Sequence, residues 1–174
     1  MTWKLENINV NLPFGLGGAT ISIGEAERVA AWRLYVEFST RITTQPLNKN
    51  SGSVREALSS LYALFEITRE ELKLAGPEIG QSPTDLGPLA IKILNEGLRP
   101  FLTKWHTAYS DHEGAEGARL MQEMGSKMPP LDLVDQNTWP KLNAFYNSLE
   151  ATRLSLLEYV DLLALIAGAH PLDR

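Results

Sequence analysis

Between Asn95 and Glu113 the chain reads NEGLRPFLTKWHTAYSDHE, and within it Arg99 and His106 stand seven residues apart. On a straight α-helix that spacing is about two turns and roughly 10 Å of rise, so both side chains leave the same face. Arginine presents a planar fork of donors that matches a phosphate, and histidine exchanges a proton near neutral pH. Phosphate orientation and proton transfer are therefore the chemistry this spacing offers. The bland arrangement of the same residues pairs Arg99 with Glu96 one turn back and leaves His106 at the surface.

Other chemistries find less support. The histidines His106, His112 and His170 are too scattered for a three-histidine zinc site, and no Glu-x-x-His occurs as a di-iron bundle requires. Asp111, His112 and Glu113 are adjacent and diverge on a helix, where they are expected to end the helix in solvent. No metal or cofactor is expected. Gly15, Gly17 and Gly18 fail the dinucleotide spacing because Thr20 stands where a glycine is needed, and they read as a turn. No glycine-rich stretch carries a P-loop lysine, and there is no Gly-x-Ser-x-Gly nucleophile elbow. Tyr159 and Asp161 read as polar residues tolerated on an apolar helix.

The segment Arg99-Pro-Phe-Leu-Thr-Lys-Trp-His106 resembles the arginine–(four to six residues)–histidine motif of HEPN-type ribonucleases and toxins. The resemblance covers these eight residues and a general fold class, and Pro100 stands where the family usually has a polar residue. It implies an all-helical domain that dimerises to combine two such motifs, with Arg99 and His106 acting on RNA.

The elements that must position this pair are mostly helices. Ile8, Val10 and Leu12 alternate with asparagines, and Ala19, Ile21 and Ile23 alternate with Thr20 and Ser22, which predicts a β-hairpin within residues 1–24. Ser22 and Glu25 suggest a capping box for a helix over 25–44, where Val29, Trp32 and Val36 widen the apolar stripe of Ala31, Tyr35, Phe38 and Ile42. Ser53 and Glu56 repeat the signature for a helix over 53–76. Its seam is Val54, Leu58, Leu61, Phe65, Thr68 and Leu72, and Gly76–Pro77 stops it. A third helix, 83–110, contains Pro100, which predicts a bend because the Glu96 carbonyl loses its partner. Residues 111–137 read as an irregular insertion, with GAEGARLMQEMG as a short helix bearing Leu120, Met121 and Met124 and SKMPPLDLVDQN as a proline-rich connector. Residues 138–168 form the apolar spine, with Thr138 as N-cap and Gly168 as stop.

The expected fold is all-α: one domain, 1–174, an antiparallel four-helix bundle with a small N-terminal β-hairpin. Its 174 residues carry 44% hydrophobic and 21% charged side chains, as expected of a soluble globular chain. The absence of cysteine excludes disulfides and thiolate chemistry and agrees with a cytoplasmic setting. The N-terminus has no signal-peptide pattern, and Glu158 and Asp161 argue against a membrane span. A net charge of −5 argues against a dedicated nucleic-acid binder. The preferred expectation is a non-enzymatic helical interaction or scaffold protein that forms a homo-oligomer and binds a protein partner. The alternative is a HEPN-like ribonuclease or toxin that uses Arg99 and His106 at a dimer interface, with RNA as partner.

Overall fold

The computed structural model describes residues 6–41, 52–125 and 133–171. Strands β1 (Glu6–Leu12) and β2 (Gly17–Ile23) pair antiparallel in the register Glu6↔Ile23 to Leu12↔Gly17. Leu12, Ile21 and Ile23 are buried, while Asn7, Asn9 and Asn11 face outward. The connecting turn runs through Phe14 at φ 60°, a left-handed conformation that costs a side-chain-bearing residue about 1 kcal/mol or more. Glycine at positions 15 and 17 supplies the same region at lower cost.

Helix α1 (Glu25–Ser39) starts at Gly24, whose N–H donates to the Glu27 carboxylate at 2.9 Å. Ser22 lies in β2 and is not a cap; its N–H donates to the Thr84 carbonyl at 3.1 Å, tying the hairpin to a loop. Helix α2 (Val54–Ala75) is capped by Ser53, whose Oγ accepts from the Glu56 N–H, and Gly76 at φ 84° ends it. The next helical run has three parts: α3 (Leu86–Lys92), a π-helical segment (Ile93–Leu98) and α4 (Arg99–Met124). Helix α5 (Leu142–Ala167) ends at left-handed Gly168. The fold is thus mostly helical, four principal helical runs with an N-terminal two-stranded antiparallel hairpin.

Several boundaries differ from the sequence expectation. Helix α1 stops at Ser39, and residues 42–44 lie outside the described residues. The third run begins at Leu86 and does not end at residue 110: it continues through the expected insertion to Met124, where Gly125 at φ 65° turns the chain. Apolar periodicity is weak there because the helix is largely exposed. Arg119 braces it instead, bonding to Glu116 and to Glu123, one turn away on either side. The last helix begins at Leu142. Thr138 instead closes a short 3-10 turn, its hydroxyl donating to the Asp135 carbonyl at 2.8 Å, with Pro140 in the turn that follows.

Pro100 leaves the helix unbroken. The Arg99 N–H reaches the Leu94 carbonyl, five residues back, and this wider π turn delivers the chain to Pro100, which has no N–H to place. Phe14 from the hairpin turn lies against Gly97 of that segment; a Cβ on Gly97 would come within 2.5 Å of the Phe14 ring.

Buried side chains from the hairpin and every helix join in one cluster. Phe38 of α1 meets Tyr159 of α5 edge-on at 5.1 Å. Trp105, Trp139 and Phe145 form an aromatic group between α4 and α5, where the Trp105 indole N–H donates to Ser148 Oγ at 3.0 Å.

Candidate functional site

Helices α2 and α4 run antiparallel, as two contacts fix: Arg55 pairs with Glu113 at 2.6 Å, and the Arg99 guanidinium lies 4.9 Å over the Phe65 ring. Between them opens a cleft of about 440 Å³. Arg99 and His106 both line it, together with Leu102, Thr103 and Thr107 of α4. The facing wall is Tyr62, Phe65 and Arg69 of α2. The seven-residue spacing does bring the pair to one open surface.

Arg99 does not pair with Glu96. Its Nε and Nη2 donate to Asn95 Oδ1 at 3.1 and 2.8 Å, and its Cζ lies over the Phe65 ring. A neutral acceptor and an aromatic face orient the guanidinium without neutralising it. Among the described residues neither Arg99 nor Arg69 has a carboxylate partner. Among the described residues no acidic side chain lines the cleft. His106 is exposed, and no described residue hydrogen bonds to its ring, so both ring nitrogens remain open to a ligand.

The residues around Asp111 have a different use. His112 stacks on Trp139 at 6.1 Å and Glu113 holds Arg55, so this part of α4 is packed helix and not a solvent-exposed end. Burial, followed by the Glu113 charge, raises the Tyr109 phenol above its ordinary value. Among the described residues no three metal-ligating side chains converge.

Sequence reading missed the α2 wall. Phe65 was assigned to the core seam, yet it is only partly buried and forms the floor under Arg99. The available signal was the spacing Tyr62, Phe65, Arg69 at i, i+3 and i+7, which sets an aromatic pair and a cation on one helix face.

No protein-family model matches this chain, and comparison with curated proteins and with solved structures gives no match either. Among the described residues no helix is long and apolar enough to cross a membrane.

Proposed function

We propose that the protein acts on RNA through the α2–α4 cleft, as a ribonuclease whose working pair is Arg99 and His106. The observation that supports this reading is that both residues line one open cleft free of acidic side chains, in a chain of net charge −5. Arg99 holds a phosphate through the Nη1 and Nη2 hydrogens that Asn95 leaves free. The 2′-hydroxyl of the preceding nucleotide attacks that phosphorus, His106 takes the hydroxyl proton, and the 5′-oxygen leaves to give a 2′,3′-cyclic phosphate. One histidine serves one proton transfer, so a second chain presenting the same pair protonates the leaving oxygen. RNA degradation by the wild type and by Arg99→Ala tests the assignment. Removing a donor that stabilises transition-state charge costs on the order of a hundred- to a thousand-fold in rate. Equal cleavage by both chains would refute it.

A second reading rests on a different observation. Val29, Trp32 and Val36 lie along the outer face of α1, and Trp32 is 51% exposed. This apolar stripe favours a non-enzymatic interaction protein that self-associates through α1 and binds a protein partner. Light scattering at tens of micromolar tests self-association; a monomer counts against it.

A further inference from the structure

The cleft is chemically divided along its length. Because α2 and α4 are antiparallel, with Phe65 beneath Arg99, Arg69 lies toward the Arg99 end and Tyr62 toward the His106 end. One end therefore holds two guanidinium groups without carboxylate partners among the described residues. The other holds an aromatic ring that is 65% exposed and tilted against Phe65 at 6.5 Å.

A tyrosine so exposed, separated from the two arginines by the Phe65 ring, contributes little to the core. Burying a ring face against a flat apolar ligand while the neighbouring arginines hold an anion would use both features at once. A nucleotide has those two parts. A duplex keeps its bases stacked inside and offers only backbone to such a surface, whereas a single strand can turn a base out onto the ring.

We infer that the cleft is specific for single-stranded nucleic acid, with a base stacked on Tyr62 and a phosphate held between Arg69 and Arg99. This rests on the same cleft as the ribonuclease reading but concerns binding and not cleavage. Tyr62 and Arg69 act as positioning residues for the strand.

The test uses the full-length His106→Ala chain, so that affinity is measured without turnover. Its probes are a fluorescent single-stranded RNA octamer, the same sequence as DNA, an abasic octamer with intact phosphates, and an RNA duplex. The inference requires the single strands to bind and the duplex and abasic probes to bind roughly ten-fold more weakly or worse. Adding Tyr62→Ala should lower affinity for the intact strand to that of the abasic probe, and adding Arg69→Gln should reduce the salt dependence of binding. Equal binding of intact and abasic strands, or no effect of Tyr62→Ala in a chain with unchanged circular dichroism, overturns the inference. Wild-type cleavage of duplex and single strand alike overturns it while leaving the ribonuclease reading standing. Tight Tyr62-dependent binding with no wild-type cleavage does the reverse.

Discussion

Arg99 illustrates how a neutral neighbour changes what a charged residue is for. Had it paired with Glu96, the guanidinium would be half neutralised and held for stability, worth a few tenths of a kcal/mol on a helix surface. Bonded to Asn95 and lying over Phe65, it keeps its full charge and is oriented by both neighbours. Tyr159 shows the opposite treatment of a polar group. It is fully buried, its hydroxyl has no hydrogen-bond partner among the described residues, and desolvation raises its pKa above the ordinary 10.0. The buried neutral phenol is favoured by folding, so its contribution is complete below pH 10 and is lost as pH rises toward the folded-state value. Tyr159→Phe should therefore reduce the alkaline loss of stability, without removing it, since Tyr109 and Tyr146 are also raised. It should leave neutral-pH stability unchanged or raised by about 1 kcal/mol, because an unpaired buried hydroxyl is removed. Urea unfolding at pH 7 and pH 10.5 checks both expectations.

At the scale of elements, the π segment Ile93–Leu98 is the device that sets Arg99. It places Asn95 one turn before Arg99 and carries the chain into Pro100, and the hairpin presses Phe14 onto it at Gly97. Gly97→Ala should force the Phe14 ring or the segment to move, costing about 1–3 kcal/mol as overpacking does. Thermal unfolding of the variant measures that cost, and an unchanged midpoint would show that the contact is not tight. Elements with strong periodicity or explicit punctuation were legible in the sequence: the hairpin through its alternation, α2 through Ser53 and Gly76, the body of α5 through its apolar repeat. The π turn was not, because Pro100 announces a missing donor but not how the chain absorbs it. In the second half of α4 the sequence shows a short helix around Leu120 but not its continuity with the first half, because exposure weakens the apolar period, and the Thr138 hydroxyl serves a turn of its own and not a helix cap. Of the site, the α4 residues were legible from spacing, and the α2 wall was masked by reading Phe65 as core.

At the scale of the whole molecule, the α2–α4 cleft and the outer stripe of α1 are both open surfaces among the described residues. Trp32 with Val29 and Val36 offers an apolar surface of the kind that associates, separate from the cleft. Trp32→Glu should leave the free energy of unfolding within about 0.5 kcal/mol of wild type, as exposed substitutions do, while shifting the protein toward monomer. Sedimentation across a concentration series measures the shift, and an unchanged distribution would place any self-association elsewhere.

The central claim is that His106 moves a proton in RNA cleavage, and a time course of a 5′-labelled single-stranded RNA with wild type and His106→Ala measures it most directly. General acid–base catalysis contributes on the order of a hundred- to ten-thousand-fold, so the variant should leave the strand intact while retaining its circular dichroism. The wild type should yield fragments ending in 2′,3′-cyclic phosphate. Intact RNA in both reactions, or cleavage at equal rates by both, would contradict the account.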